Sequence, residues 1–364
     1  MAASAFPTAP SLEAGHERVV RLMTRRLVLD LNDRRPLWSI PAWAVDAIRA
    51  AVPAEWEVEV LHETSDGKGD GGEPTLGALR AIRGAEVYLG YGVPPALFEA
   101  AGGSLRWAHS GAAGVGGSLH PAMLASDVVL TNSAGIHAEP IADTVLAALL
   151  HFARGLDWAV RLQREPRWDR SPWDAADAPV RELRELTLGV HGLGGIGRAV
   201  ARRGVALGMR VLATRRRPAD APKGVELLTG ADALPRLLEA SDALVVTVPR
   251  TRDTEGSIGA AELARLPAGA VVVLVSRGGV VDEEALVEAL AAGRVRGAAL
   301  DVFAREPLPP ESPLWGLPNT LLTPHISGAS RLFWRRQTEL VTENIRRYLA
   351  GAPLLNTVDK HAGY

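Results

Sequence analysis

The chain has 364 residues, 40 Lys and Arg against 42 Asp and Glu, a formal net charge of −2 and no cysteine. The near-neutral net charge does not indicate the basic surface that nucleic-acid-binding proteins present. Without cysteine, disulfides, thiolate catalysis and Cys-based metal sites are excluded, and we predict no metal centre. No apolar run approaches the length of a membrane span, and residues 1–10 lack the pattern of a signal peptide. We expect a cytoplasmic protein of two domains.

The first third of the chain predicts a compact α/β domain behind a disordered lead, residues 1–18. Short apolar or alternating runs predict strands, and 3.6-residue periodicity predicts helices between them. The predicted strands are residues 26–30, 56–61, 86–89, 105–109 and 128–131, and the predicted helices are 41–52 and 76–82. The Gly- and Asp-rich residues 65–72 predict a turn.

The second part begins with one long helical pattern, residues 138–164, which we predict leads out of the first domain. A loop containing Trp, Pro and Asp, residues 165–179, follows it. Strands are then predicted at 187–190, 210–214, 243–248, 270–275, 297–302 and 320–323, with helices between several of them, notably 282–292. This alternation predicts a doubly wound parallel sheet with ligands at the carboxyl ends of its strands. The amphipathic residues 330–350 predict a helix that packs back on the first domain and leaves a cleft.

A glycine pattern, Gly192-x-Gly194-x-x-Gly197, joins a predicted strand to a predicted helix that starts at Ile196. In the dinucleotide fingerprint, the first glycine makes a tight turn, the second lets the backbone approach a pyrophosphate, and the third lets helix and strand pack closely. Free N–H groups at the helix start would hold the pyrophosphate. We therefore predict nucleotide binding, against the alternative of a plain Gly-rich turn.

Three predicted strands of the second domain are each followed by a loop that carries a polar side chain: Arg277, Glu306 and His325. Reduction of a keto acid by hydride needs a fixed cation for the carboxylate, which Arg binds bidentately. It also needs a proton donor, for which His is suited, and a carboxylate that holds the imidazole in one tautomer and keeps it a donor near neutral pH. Taken singly, Arg277 could be a surface residue, Glu306 a solvated loop charge and His325 a structural histidine.

The chain resembles the D-isomer-specific 2-hydroxyacid dehydrogenase family over most of its length after residue 105. The matching segments are T-N-S-A-G-I-H-A-E-P-I-A-D, H-G-L-G-G-I-G, V-P-R-T-R-D-T-E-G, S-R-G-G-V-V-D-E-E-A-L, G-A-A-L-D-V-F-A-R-E-P-L-P, P-L-W-G-L-P-N, L-T-P-H-I-S-G and E-N-I-R-R-Y-L-A-G-A-P-L-L-N-T-V-D. The resemblance implies that Arg277 binds substrate, that His325 is the acid/base paired with Glu306, and that Asp301 lies beside the nicotinamide.

The same resemblance implies two domains with a cleft between them. We predict a flavodoxin-like substrate domain in residues 19–137 and 329–364, and a Rossmann-type dinucleotide-binding domain with a connecting helix and dimerisation arm in residues 138–328.

The loop 110–116 resembles the family loop whose backbone N–H groups hold the substrate carboxylate, and Ala113 and Gly114 fall on the matching positions. Small residues suit such an anion nest, although a flexible Gly turn is the alternative. Positions that depart from the family pattern are Gly116, where many members have Asp, Leu274, where many have Asn, Asp143 for a common Glu, and His191 for an aliphatic residue.

The strand after the fingerprint helix ends in Thr214, with Arg215 and Arg216 next and no carboxylate before Asp220. An acidic residue there would take the ribose hydroxyls of NAD, whereas Arg can pair with a 2′-phosphate. We therefore favour NADP over NAD; the alternative is a solvated Arg turn and use of either. The predicted cofactor contacts are Gly192, Gly194, Gly195, Ile196, Gly197, Arg215, Arg216, Pro249, Thr254, Val275 and Asp301.

The expected activity is reduction of a small 2-keto acid, of the glyoxylate or hydroxypyruvate type, to the D-2-hydroxy acid. Alternatives are a bulkier 2-keto acid, 3-phosphoglycerate, or a nucleotide-sensing corepressor of the same fold. The family suggests a homodimer. Trp168 and Trp173 could form an inter-subunit arm or a lid on their own subunit, and Tyr91 could line the pocket, although a core or surface position is the more common one for Tyr.

Overall fold

The computed structural model describes residues 25–216 and 220–363, so the predicted disordered lead lies outside the described residues. The strands are β1 Arg26–Asp30, β2 Glu57–Val60, β3 Val87–Gly90, β4 Trp107–Ser110, β5 Val129–Asn132, β6 Thr187–His191, β7 Arg210–Thr214, β8 Val225–Leu228, β9 Ala243–Val246, β10 Ala270–Leu274, β11 Val295–Leu300 and β12 Thr320–Leu322. The helices are α1 Ala42–Ala51, α2 Leu76–Ala81, α3 Pro95–Ala100, α4 Pro121–Leu124, α5 Ala138–Ala153, α6 Leu156–Arg164, α7 Ser171–Asp174, α8 Gly195–Ala206, α9 Ala233–Ala240, α10 Ala260–Arg265, α11 Glu283–Ala291 and α12 Phe333–Leu349.

The first lobe is built on a five-stranded parallel sheet with the order β2-β1-β3-β4-β5. This is the flavodoxin-like order. Both faces of the sheet are covered by apolar side chains, and Trp107 in β4 is one of the largest fully buried side chains. Burial on both faces explains why the strands read as short apolar runs.

The second lobe is built on a seven-stranded parallel sheet with the order β12-β11-β10-β9-β6-β7-β8. The order reverses at β6, which pairs with β7 on one side and β9 on the other. That reversal is the topological switch point at which doubly wound folds bind ligands. The predicted α/β class with two parallel sheets is confirmed, whereas the domain boundaries at 137/138 and 328/329 stay predictions.

The prediction of one helix over residues 138–164 is wrong. Gly155 has a φ of +63°, a left-handed conformation that interrupts the helical backbone, so α5 ends at Ala153 and α6 begins at Leu156. Within the predicted loop 165–179, the structure contains the short helix α7. The edge strand β8 was not predicted.

The prediction for the last helix is confirmed, because α12 packs against α1 of the first lobe. The two lobes meet at their carboxyl edges: His137 Nδ1, at the start of α5, lies 3.3 Å from the carbonyl oxygen of Gly328, just after β12. Among the described residues, no helix is long and apolar enough to cross a bilayer.

Candidate active site

Three adjacent strands of the second lobe carry Arg277, Glu306 and His325 in the loops that follow them. The strands β10, β11 and β12 are neighbours in the sheet, so their carboxyl ends open onto the same edge. The structure brings Glu306 and His325 into direct contact, and Arg277 lies close enough for its charge to act on Glu306.

His325 and Glu306 form a hydrogen-bonded pair, with His325 Nδ1 2.8 Å from Glu306 Oε2. Both side chains remain accessible to solvent, at 47% and 36% exposure. Burial acts to raise the pKa of the Glu306 carboxyl, but hydrogen bonds from His325 and from the N–H of Phe303 outweigh it, and the pKa lies below its ordinary value. Glu306 is therefore a carboxylate at neutral pH, and it fixes the imidazole through Nδ1, leaving Nε2 as the remaining ring nitrogen.

The loop that carries His325 is held by a buried carboxylate, Asp301. Its Oδ1 accepts from Thr323 Oγ1 at 2.6 Å and from the N–H of Ile326 at 2.8 Å, and its Oδ2 accepts from the N–H and hydroxyl of Ser327. His325 itself has a φ of +53°, a conformation that non-glycine residues seldom adopt. Asp301 thus holds the Thr323 side chain before His325 and the backbone after it, a role that the sequence did not indicate.

Arg277 lies where the two lobes meet. A Cβ built on Gly114 would lie 2.6 Å from Arg277 Nη2, so the guanidinium touches the loop after β4. Its Nη1 donates to the carbonyl of Ser276 at 2.7 Å, and no described residue forms an ion pair with it. Desolvation by the surrounding residues lowers the pKa of Arg277, and the charge of Glu306 partly offsets this, while the residue remains exposed to solvent. A guanidinium in this position is available to an anion that enters the cleft.

The loop after β4 offers backbone donors beside this guanidinium. The side-chain amide of Asn132 donates to the carbonyl of Ala113 at 2.8 Å, which fixes the peptide from its oxygen side. Within the described part of the chain, the N–H groups of Ala113 and Gly114 donate to no protein acceptor. The two residues singled out for carboxylate binding therefore carry free donors next to Arg277.

A second buried carboxylate, Asp70, braces the far end of the same loop. Asp70 Oδ2 accepts from the N–H groups of Gly117 at 2.5 Å and Ser118 at 3.1 Å, and Oδ1 accepts from the Ser118 hydroxyl. Asp70 is 8% exposed, and burial raises its pKa, against which these hydrogen bonds act. The Gly- and Asp-rich composition of residues 65–72 predicted a turn but gave no signal for this contact.

His137 is a second imidazole close to the site. It stacks on Phe333 with a centroid separation of 5.4 Å, and burial lowers its pKa, with Arg277 and His325 acting in the same direction. His137 is therefore neutral at pH 7, and we assign it to the wall between the lobes.

The glycine turn at β6 has the form that a pyrophosphate requires. Gly192 has a φ of +106°, and a Cβ on Gly197 would lie 2.0 Å from the carbonyl oxygen of Gly192. In contrast, a Cβ on Gly194 would meet nothing within 4 Å. Gly194 therefore opens onto free space directly before α8, whose first N–H groups have no side-chain cap. The residues present fit a dinucleotide phosphate at this helix start.

The end of β7 carries no carboxylate. Thr214 is its last residue, and its hydroxyl lies 2.8 Å from His191 Nδ1. Arg215 donates to the carbonyl of Leu193 at 3.2 Å, and Arg216 lies 3.7 Å from Asp253.

The remaining predicted cofactor residues lie along the same edge of the sheet. Thr254 donates to the carbonyl of Pro249 at 2.6 Å, in the loop after β9, and Val275 directly follows β10.

Three aromatic residues that the sequence left open have distinct surroundings. Tyr91 is 8% exposed and its hydroxyl donates to the carbonyl of Trp38, so it belongs to the core. Trp173 packs edge-on against Trp158 and donates to the carbonyl of Arg154 at 3.1 Å. Trp168 is 96% exposed.

Known proteins are similar to this chain in sequence and in fold. Residues 146–327 match the model of the D-isomer specific 2-hydroxyacid dehydrogenase NAD binding domain. A glyoxylate reductase of Korarchaeum cryptofilum is 39% identical over 236 residues, which is 64% of this chain and 70% of that protein. A glyoxylate/hydroxypyruvate reductase B of Yersinia enterocolitica is 33% identical over 81% of this chain and 89% of that protein.

Solved structures agree with these relatives. A D-isomer specific 2-hydroxyacid dehydrogenase from Xanthobacter autotrophicus in complex with NADPH and MES superposes with a TM-score of 0.75 at 33% identity, covering 94% of this chain and 99% of that chain. An NADPH-dependent glyoxylate/hydroxypyruvate reductase from Sinorhizobium meliloti in complex with NADP and sulfate gives a TM-score of 0.74 at 30% identity, covering 94% and 100%. The chain belongs to the D-isomer-specific 2-hydroxyacid dehydrogenases, a family of NAD(P)-dependent oxidoreductases.

Proposed function

We propose that this enzyme reduces a small 2-keto acid, of the glyoxylate or hydroxypyruvate type, to the D-2-hydroxy acid, with NADPH as the preferred reductant. The observation that carries the proposal is the meeting of the His325–Glu306 pair, the Arg277 guanidinium and the Ala113–Gly114 donors at one end of the cleft, on the edge that also bears the glycine turn.

In this proposal, each residue has one task in the reaction. When bound, the reduced nicotinamide supplies a hydride to the carbonyl carbon. Arg277 and the N–H groups of Ala113 and Gly114 bind the substrate carboxylate, and Arg277 also polarises the carbonyl. His325 gives the proton on Nε2 to the carbonyl oxygen, so that one hydride and one proton yield the alcohol. Glu306 holds Nδ1 and stabilises the charged imidazole before the transfer.

The preference for NADPH rests on the end of β7. A carboxylate there would bind ribose hydroxyls and repel a 2′-phosphate, whereas Thr214 is neutral and Arg215 and Arg216 follow it. The presence of NADPH or NADP in two related solved structures supports the same choice.

The proposed substrate size rests on the relatives, several of which are named glyoxylate or glyoxylate/hydroxypyruvate reductases. One relative, from Archaeoglobus fulgidus, is named a D-3-phosphoglycerate dehydrogenase, and this chain covers 43% of its length. We therefore rank a phosphorylated substrate second.

The test is oxidation of NADPH, and in parallel of NADH, by the purified enzyme with a panel of keto acids. We expect the highest kcat/KM with glyoxylate or hydroxypyruvate and NADPH, ahead of branched keto acids and phosphohydroxypyruvate. A preference for a branched or phosphorylated acid would refute the proposed substrate. Tight NADPH binding without turnover of any keto acid would favour a nucleotide sensor instead.

We also propose a homodimer formed around α5 and α6. Exposed apolar side chains cluster in this part of the chain: Leu150, Leu156, Val160 and Trp168 are 41%, 47%, 42% and 96% exposed. Apolar surface of this kind is typical of protein–protein interfaces. Light scattering should give a mass twice the 38.6 kDa of one chain, and replacing both Leu156 and Val160 by Asp should yield monomers. A monomeric wild-type enzyme at micromolar concentration would contradict the dimer.

A further inference from the structure

His191 is a half-buried polar residue that the proposed reaction does not use. It ends β6, directly before Gly192. It is in register with Thr214 of β7 on one side and Val246 of β9 on the other. The sheet thus places an imidazole at the switch point, beside the strand end that meets the adenosine ribose in doubly wound folds.

The contacts of Thr214 favour one tautomer of this ring. Thr214 Oγ1 accepts from the N–H of Gly192 at 3.3 Å and lies 2.8 Å from His191 Nδ1. The hydroxyl accepts one hydrogen bond from the backbone and can donate its own proton to Nδ1. We take Nδ1 as the acceptor and Nε2 as the protonated nitrogen, and the NMR experiment below tests this part of the inference.

The Nε2 atom of His191 is accessible to solvent. It has no hydrogen-bond partner among the described residues, and it is not one of their buried unpartnered atoms. Burial of the ring as a whole lowers its pKa to about 4. His191 therefore presents a neutral N–H donor at pH 7, next to the strand end that Arg215 follows.

We infer that His191 is a cofactor-specificity residue, whose Nε2–H donates to the 2′-phosphate of NADP(H) beside Arg215. The inference rests on the proposed preference for NADP(H). A neutral donor adds a hydrogen bond to the phosphate without the desolvation cost of another buried charge. Thr214 acts as a positioning residue, because its hydroxyl holds the ring in the donating tautomer.

The test is calorimetric binding of two fragments to the full-length chain: 2′,5′-ADP, which carries the 2′-phosphate, and 5′-ADP, which lacks it. We expect wild type to bind 2′,5′-ADP more tightly. His191→Val should weaken 2′,5′-ADP by about tenfold and 5′-ADP by less than about twofold. His191→Gln, which keeps a side-chain donor, should recover part of the loss, and melting temperatures check that each variant is folded.

Each other outcome overturns the inference. Equal loss for both fragments in His191→Val would mean that the ring only packs, and unchanged binding of 2′,5′-ADP would mean that it makes no contact. Equal binding of the two fragments by wild type would refute the NADP preference, and the inference with it.

Nitrogen NMR of the histidine rings tests the same point in wild type, independently of any valine variant, with the resonance assigned from His191→Gln. The free enzyme should show the Nε2–H tautomer for His191, and its signal should shift with 2′,5′-ADP but not with 5′-ADP. An Nδ1–H tautomer would contradict the proposed donor.

Discussion

Arg277 shows what a single residue contributes to this site. It is the cation that touches the loop of Ala113 and Gly114, and within the described structure no acidic side chain pairs with it. A planar guanidinium binds a carboxylate in two places, whereas a lysine ammonium is a point charge.

We therefore predict that Arg277→Lys raises KM for glyoxylate and lowers kcat/KM by about a hundredfold, with NADPH binding unchanged. Steady-state kinetics and NADPH fluorescence titration measure the two effects. Arg305→Lys, in the neighbouring loop and exposed, is the matched control and should stay near wild type. Kinetics of Arg277→Lys within about threefold of wild type would remove Arg277 from substrate binding.

The sequence predicted the reactive residues better than the residues that hold them. Arg277, Glu306 and His325 each follow a predicted parallel strand, and parallel strands in one sheet end on the same edge, so their proximity could be expected. The four hydrogen bonds that Asp301 accepts from residues 323–327 depend on the path of a loop. Local patterns do not determine such a path, and the predicted place of Asp301 beside the nicotinamide stays a prediction.

Among the elements, the loop after β4 is positioned by a single 3-10 turn, residues 69–71, rather than by an α-helix or a strand. Asp70 connects residues 69–71 to Gly117 and Ser118, four residues beyond the free donors. Burial raises the pKa of Asp70, while the three donors of Gly117 and Ser118 favour its charged form.

We predict that Asp70→Asn raises KM for the keto acid by about tenfold, with little change in kcat or in NADPH affinity. An amide nitrogen cannot accept the hydrogen bonds that one oxygen of the Asp70 carboxylate accepts in wild type. The loop after β4 should therefore shift, while the reactive residues Arg277 and His325 are retained. Glu73→Gln, exposed on the same segment, is the control. Equal losses in kcat and NADPH affinity would indicate a general folding defect rather than a positioning role.

Two features of the fold that the sequence did not predict, the helix break at Gly155 and the strand β8, have local explanations. Apolar residues recur with helical spacing through residues 138–164, and a single glycine within such a pattern is compatible with a helix. The break at Gly155 follows from its φ of +63°, which the pattern does not indicate. The edge strand β8 has only four residues, V-E-L-L, and pairs with β7 alone. Its short, half-exposed pattern is typical of a loop as much as of a strand.

On the scale of the whole molecule, a buried histidine joins the last helix to the first sheet. His109 lies in β4, with Nδ1 2.9 Å from Thr131 Oγ1 and Nε2 3.0 Å from Gln337 Nε2 in α12. Complete burial lowers its pKa from 6.5 to about 3. Between about pH 3 and pH 6.5, His109 is therefore neutral in the folded protein and protonated in the unfolded chain.

We predict that this histidine makes folding stability decrease as the pH falls below about 6.5. Its contribution should be about 2 kcal/mol smaller at pH 5 than at pH 7. Urea unfolding of wild type and of His109→Gln, which keeps polar contacts without titrating, measures the difference. Parallel pH dependences in the two proteins would show that His109 does not titrate differently in the folded and unfolded states.

The large-scale architecture followed from the sequence because strands and helices alternate in both parts of the chain. Such alternation produces parallel sheets, and both are observed, with the orders expected for flavodoxin-like and doubly wound folds. The close approach of the lobes, seen at His137 and Gly328, depends on contacts between residues about 190 positions apart, which periodicity does not indicate.

The most direct test of the account is the activity of His325→Ala. We predict that kcat with glyoxylate falls by about 10²–10⁴-fold, because the proton donor is lost, while the NADPH dissociation constant stays within about twofold of wild type. His62→Ala, which alters an exposed histidine, should be fully active. Turnover of His325→Ala within about threefold of wild type would contradict the assignment of His325 as the acid/base.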